Sequence, residues 1–410
     1  MKNLVLADVL SDLLKLSTAQ TKSAASVLNT LKLPTKKTEQ YRYFDIEKLL
    51  NRNYGLVEKK EHNIEEGMFL EIVDGSVVRA PKGVKVMYEQ ERSINEEHFD
   101  PLYFVGHLLC PKVITISFET DTNIKILHRY TQKNMLIPYR IMMQTAQNIA
   151  VTVSESFIGC DANETLVLYG CDIHVSRDSR FSFIKDETLV EGIYTPLHSH
   201  SIHLAQQSSA DFFSFDFGNA DGLQLIQAQL MERSSFHANH LLYTKGSSKR
   251  GTVSQIVHMQ KDATSSQKAK NILGESGRGI FDALIKIQPQ GGGTKAYQNS
   301  QAVLLNDGAY MASKPQLEIY IDDVEASHGS TIGELDQQQL FYLRSRGITL
   351  EEARKMLILA ITNEIIDAVE DEKIREAVHL SFEHVYYGQG QLECIATCHH
   401  CSDEIIGVSS

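Results

Sequence analysis

From about Gly67 to Ile321 the chain is patterned in period two, and that pattern limits the fold more than any other feature. "VITISFE" places apolar residues at Ile114, Ile116 and Phe118, and "IAVTVSE" at Ile149, Val151 and Val153. "DFFSFDFG" does so at Phe213, Phe215 and Phe217, "ALIKIQ" at Ala283, Ile285 and Ile287, and "LEIYID" at Leu317, Ile319 and Ile321. Successive side chains of a strand point to opposite faces, so this alternation predicts half-buried strands. No convincing amphipathic helix separates most of them, which argues against a parallel α/β sheet with crossover helices. A sandwich, a barrel and a stacked β-solenoid remain open. No strict repeat length is visible to choose among them. The polar stretch "KDATSSQKAKNILGESGRG" reads as a long loop.

Helical spacing brackets this zone. "DVLSDLLKL", "AASVLNTLK" and "FDIEKLLNR" carry apolar residues three or four apart, and Pro34 interrupts them. After the strands, Asp336 can cap "QQQLFYLRS", Gly347 can end it, and Thr349 with Glu352 forms a capping box for the next helix. Leu350, Ala353, Met356, Leu357, Ala360, Ile361 and Ile365 make an apolar stripe there. "DEKIREAVHLSFEHVYY" predicts one more helix. The expected domains are an N-terminal helical domain at 1–66, a β core at 67–333, a C-terminal helical domain at 334–387 and a Cys/His-rich tail at 388–410.

The formal net charge of -12 argues against a nucleic-acid surface, which needs clustered Lys and Arg. Asp8 and Asp12 break the apolar N-terminus, so it reads as an amphipathic helix rather than a leader, and no window reaches the ~18 apolar residues of a membrane span. A cytoplasmic chain is expected.

Few motifs carry chemistry. "GSSKRGT" (246–252) spaces two glycines like a phosphate loop but lacks the Lys that reaches the phosphates, so no ATPase activity is expected of the isolated chain. Asp322 and Asp323 are neighbours on an extended segment, which sends them to opposite faces and denies them a shared acid–base site. "HSHSIH" puts His198 and His200 on one face of a strand, either as a metal pair or as a hydrogen-bonded surface cluster. Cys110, Cys160 and Cys171 lie in apolar or strand-like surroundings and read as small buried hydrophobes. Cys394, Cys398, His399, His400 and Cys401 crowd three thiols and two imidazoles into eight residues, a donor set suited to zinc or iron, unless the segment is simply a tail.

The stretch "KPQLEIYIDDVEASHGSTIGELDQQQLFYLRSRGI" (314–348) closely resembles the C-terminal signature of the SufB/SufD family of iron-sulfur cluster assembly proteins. "LPTKKTEQYRY" (33–43) resembles that family's entry motif, with Tyr41 where Trp is usual, and "GRGIFDALIKI" and "QNSQAVLLND" are similar to its late strands. The match is thin over the whole chain and strong over 276–366. Ala326 stands where the family often has Cys, 299–302 lacks the scaffold Cys of the SufB side, and Ser327-His328-Gly329 stands where the SufB side usually reads Glu-His-Glu. These departures resemble the SufD side of the family.

The resemblance implies a right-handed parallel β-helix core flanked by N- and C-terminal helical domains, a mainly β fold. It implies a non-enzymatic scaffold subunit that works with a SufB-like subunit and a SufC-like ATPase. A SufB-like paralogue and a β-helix carbohydrate-active enzyme are the alternatives. It implies that His328, between strand and helix, is a metal or nascent-cluster ligand facing the partner subunit. It also implies that Phe341, Tyr342, Leu343 and Arg344 belong to a helical hairpin that docks the ATPase. Iron or an iron-sulfur cluster is then transient in the complex, with none held tightly by the isolated chain. Whether the chain alone dimerises is open.

Overall fold

The computed structural model describes residues 4–15, 22–57, 64–89, 94–110, 112–189 and 193–387. Its core is a parallel β-solenoid of two facing sheets between which the chain alternates. The first sheet stacks Met135–Thr145, Leu166–Val175, Thr195–Leu204, Gly222–Leu230, Lys249–His258, Arg278–Ile287 and Tyr310–Ile319 in order. The second stacks Thr122–Tyr130, Ala150–Gly159, Arg180–Leu189, Ser209–Gly218, Ser235–Thr244, Thr264–Leu273, Thr294–Leu304 and Val324–Gly333. The expectation of a parallel β-helix with helices at both ends is met.

One set of turns shows how the coils stay in step. Asn148, Asp178, Gln207, Arg233, Asp262 and Gly293 all have positive φ, and the first five each donate their amide to a carbonyl of the next coil's turn: Arg177, Gln206, Glu232, Lys261 and Gly292. Gly293 continues the column to the Asp323 carbonyl. Asn, Asp and Gly tolerate this left-handed geometry best. Successive members lie 30, 29, 26, 29 and 31 residues apart, read from their own numbers. The coil length therefore drifts while the stacking is kept, which is why no strict repeat is visible in the sequence.

Inside the solenoid, inward rows from both sheets form a continuous apolar core that includes Ile141, Phe181, Phe183, Ile202, Phe212 and Ile226. Four helices serve the N-terminal half: α1 (Leu6–Lys15), α2 (Lys22–Leu31), α3 (Ile46–Leu50) and α4 (Pro101–Leu109). Leu28, Tyr41, Phe104 and Leu108 pack with Leu168, Leu197, Leu223 and Leu225 on the outer face of the first sheet. Three more helices, α5 (Gln337–Ser345), α6 (Leu350–Ile366) and α7 (Glu372–Tyr387), cover the outer face of the second sheet. There Ile358, Ile365 and Phe382 meet Phe213, Phe215, Phe217 and Tyr243. The alternation in "DFFSFDFG" is thus the outward row, buried under helices rather than in the lumen.

Three sequence expectations are corrected. The predicted loop at 261–279 contains the strand Thr264–Leu273, whose Ser265, Gln267 and Asn271 are buried. Polar inward positions hide the alternation. Helix α4 was not expected inside the β zone, because all eight residues after the Asp100 cap, Pro101 to Leu108, are buried and no polar stripe marks a helical period. Finally, His328 is not at a strand-to-helix seam. The chain turns at 320–323 and forms another strand, Val324–Gly333, with His328 in its middle. "VEASHGSTIG" is too rich in small polar residues to announce that strand.

Candidate functional site at the open end of the solenoid

The two ends of the solenoid differ. At the early end an antiparallel hairpin, Leu70–Val73 with Ser76–Pro81, continues the second sheet and closes it over. At the late end, among the described residues, Tyr310–Ile319 pairs only with Arg278–Ile287, and Val324–Gly333 only with Thr294–Leu304. Two ten-residue strands therefore each present a free row of N–H and C=O groups. Such an edge is a template for pairing with another chain, and solenoids ordinarily cap it.

His328 occupies a defined place on that end. The register stacks Phe183, Phe212, Ala238, Gln267, Gln298 and His328 in one row. The row faces inward, since Phe183 and Phe212 belong to the lumen core and Ala326, two residues before His328, packs against it. Among the described residues no further coil stacks on this strand, and the imidazole is exposed at the mouth of the lumen. It makes no hydrogen bond or ion pair among the described residues. Two residues on, Ser330 Oγ donates to Ser313 Oγ across the mouth at 2.8 Å. Tyr310, Ile319, Tyr320 and Ile332 are exposed around it.

The helices α5–α7 present a second surface. The Asp336 side chain accepts from the amides of Gln338 and Gln339, and Thr349 with Glu352 forms the expected capping box. The buried face of α6 is Ala353, Ile358, Thr362, Ile365 and Ile366. Leu350 and Met356 of the anticipated stripe point to solvent instead. Beside them Phe341 is 75% and Tyr342 57% exposed, Arg344 is exposed and Leu343 is half-buried. The Arg346 guanidinium lies 5.3 Å from the Tyr342 ring centre. A groove of about 550 Å³ separates this helical layer from the end of the solenoid, lined by Leu304, Leu305, Gly333, Leu335, Ile358 and Tyr386 among others.

Sequence reasoning missed a buried charge cluster within the lumen. Lys185 Nζ lies 2.7 Å from Asp216 Oδ1 and 2.9 Å from Glu187 Oε2, and Arg250 Nη2 lies 3.0 Å from both carboxylates. Burial alone would raise the Asp216 carboxyl, but Lys185 and Arg250 hold it well below the usual range. The signal was present: Lys185 and Glu187 continue the inward parity of Phe181 and Phe183. His198 and His200 do share a face, but it is the inward one. Both are fully buried and burial keeps both neutral, so the surface cluster expected for "HSHSIH" is not what forms. No group of three or more His, Cys, Asp or Glu arranged for a metal occurs among the described residues. Cys110 and Cys171 are buried and Cys160 is half-buried; burial pushes the Cys171 thiol up. "GSSKRGT" is a tight turn running into a strand, not a loop opening a helix. Cys394, Cys398, His399, His400 and Cys401 lie outside the described residues.

A two-sheet parallel solenoid with helical layers on both outer faces and a histidine at an uncapped end defines a class, and comparison with known proteins assigns it. Residues 128–361 match the family model for the SUF system FeS cluster assembly SufBD core domain, and residues 8–68 match that for the SufBD protein N-terminal region. The chain belongs to the SufBD family. Within it, the chain is 27% identical over 375 residues to iron-sulfur cluster assembly protein SufD of Escherichia coli, covering 84% of this chain and 88% of that protein. It is 24% identical over 273 residues to SufD of Plasmodium berghei, covering 66% of this chain but 20% of that protein. An iron-sulfur cluster assembly SufBD family protein of Mycobacterium leprae is 39% identical over 101 residues, 24% of this chain and 26% of its own length. No described helix is long and apolar enough to cross a membrane.

Proposed function

We propose that this chain is a non-enzymatic, SufD-like subunit of an iron-sulfur cluster assembly scaffold. Its open end seats a SufB-like subunit, and the α5–α6 hairpin docks a SufC-like ATPase. The observation that carries this reading is the uncapped end: two free strand edges, an apolar rim and an exposed imidazole. Strand addition would satisfy the edge groups, and burying Tyr310, Ile319, Tyr320 and Ile332 would supply apolar area. Phe341 and Tyr342 are large aromatics on a rigid, capped helix, the residue types that anchor interfaces. Iron, or a growing cluster, is the cargo of the assembly; His328 would meet it together with thiolates of the SufB-like subunit. The ATPase would provide the nucleotide chemistry for which this sequence has no phosphate loop. The carbohydrate-enzyme alternative loses its carboxylate pair, since Asp322 and Asp323 sit in the exposed turn before the last strand. The expected compartment is the cytoplasm.

Co-expression of the tagged chain with the SufB-like and SufC-like proteins of its own cell tests this. The expected result is a ternary complex. Phe341→Glu with Tyr342→Glu should weaken ATPase capture at least about tenfold while the SufB-like subunit stays bound. Ile319→Lys with Ile332→Lys should do the reverse. His328→Ala should keep both partners and lower iron per complex. Undiminished capture of the ATPase by the first variant, or of the SufB-like subunit by the second, would refute the assigned surface.

A further inference from the structure

Directly beneath His328 in the inward row is Gln298, its register partner on the neighbouring strand. Adjacent strands lie about 4.8 Å apart, and the two side chains leave the same face. Gln298 is 3% exposed, so its amide meets almost no solvent. One half of that amide is anchored: Nε2 donates to the Ala283 carbonyl across the lumen at 2.9 Å. A carbonyl can only accept, so this contact fixes which end of the amide is which and leaves Oε1 on the other side. Among the described residues Oε1 is buried without a hydrogen-bond partner. A buried acceptor in that state costs free energy that a nearby donor would recover.

The surroundings narrow the choice of donor. Gln267, next below in the row, has its Nε2 committed to Ser254 Oγ at 2.7 Å and to His240 Nε2 at 3.1 Å. On the same face of the strand, Ala296 offers no donor and Ser300 lies about 6.7 Å further along. Above Gln298 stands His328, whose ring nitrogens have no partner among the described residues. A neutral imidazole carries one N–H donor and one bare nitrogen. The ring is exposed and its chain neighbours Ser327 and Gly329 are small, so a turn about its own side-chain torsions is enough to bring the N–H onto Oε1.

We propose that Gln298 is the positioning residue for His328: its Oε1 accepts the ring N–H and holds the neutral imidazole in one tautomer, with the lone pair of the other nitrogen left for whatever arrives at the mouth. A histidine that meets a metal ordinarily donates its second ring nitrogen to a carbonyl or carboxylate, which fixes the ring and makes the bare nitrogen more basic. Gln298 supplies such a carbonyl from a buried, anchored amide. The use of the lone pair rests on the function proposed above, whereas the hydrogen bond itself needs neither a partner chain nor iron.

The test uses the full-length chain alone, with isotope-labelled histidine ring nitrogens, at about pH 9, where an ordinary imidazole is neutral. Long-range proton–nitrogen correlation NMR reads which ring nitrogen carries the proton, and the His328 signals are those lost in His328→Ala. The expected result is one tautomer in at least about tenfold excess. Gln298→Leu should cut that ratio at least about fivefold. Gln298→Glu loses the bond to Ala283 just as Leu does but keeps an acceptor oxygen at the same reach, so it should restore the single tautomer. A merely structural role for Gln298 would leave the two variants alike. Circular dichroism melts check that both are folded. A mixture of tautomers in the wild type, or an unchanged ratio in Gln298→Leu, overturns the proposal. Iron per complex with the SufB-like and SufC-like proteins is read separately. Gln298→Leu should lower it toward the His328→Ala level, and wild-type iron in Gln298→Leu alone would deny the bond its positioning role. Wild-type iron in His328→Ala would instead overturn the scaffold reading, while the tautomer result stands.

Discussion

Arg250→Met is expected to destabilise the protein by about 3–5 kcal/mol, because it leaves carboxylate charge buried and undercompensated. In the native lumen two cations face two carboxylates within 3.0 Å. Tyr194 donates to Glu187 at 2.8 Å, and Ser214 to Asp216 at 2.6 Å, which satisfies further lone pairs. Without the guanidinium, Lys185 alone must neutralise both acids in a space closed to solvent. One of them must take up a proton or the coil must open. The loss is a large fraction of the roughly 5–15 kcal/mol that holds an ordinary domain folded. Two controls sharpen the expectation. Lys133→Met, which removes an exposed partner of Asp161, should cost below about 1 kcal/mol. Replacing Lys185, Glu187, Asp216 and Arg250 together by apolar residues of similar volume should recover most of the Arg250→Met loss, because no charge is then stranded. Urea unfolding of the four proteins is the measurement. An Arg250→Met loss below about 1 kcal/mol would show that water reaches the cluster.

What the sequence disclosed and what it hid follow from where side chains point. The outward Phe row of 209–218 and the apolar late strand at 278–287 alternate plainly, because each has one greasy face to show. The strand at 264–273 fills its inward positions with Ser, Gln and Asn, so its alternation has no hydrophobic contrast. Helix α4 failed the opposite way: wedged between the N-terminal helices and the first sheet, it is buried on every side and has no polar face to set a period. The lumen charges were readable only by parity from Phe181 and Phe183, and their pairing with Asp216 and Arg250 needs coils of 26–31 residues whose register no single-chain pattern reveals. The signature around His328 located the right segment but not its geometry. Whether that histidine lies on a strand or in a turn depends on one more coil, and a coil of small polar residues stacks through its backbone rather than through side chains.

Buried histidines make the fold acid-sensitive, and stability is expected to fall between pH 7.5 and pH 5. Burial lowers His240 and His258 to about 4 and His98 to about 3, against an ordinary value of 6.5. His198 and His200 are held well below it as well. A histidine kept neutral in the folded protein contributes stability that is fully present above 6.5. As the pH falls from 6.5 toward 4, the unfolded chain takes up a proton that the folded chain refuses, and that contribution is lost. The loss is about 2 kcal/mol per such residue by pH 5. Asp186 works against the trend. Burial raises its carboxyl to about 6 despite hydrogen bonds from Ser381 and Thr188, so the folded form takes up the proton first and gains as the pH falls through 6. One carboxyl against five imidazoles leaves a net loss. Urea midpoints at pH 7.5, 6 and 5 should therefore decline in order. His258→Gln should reduce the slope near pH 5 by about one proton. Asp186→Asn should raise stability at pH 7.5 and steepen the decline below 6, since the opposing titration is removed. A midpoint that is flat or rises on acidification would mean that the buried histidines share their surroundings with water and titrate as they do in the unfolded chain.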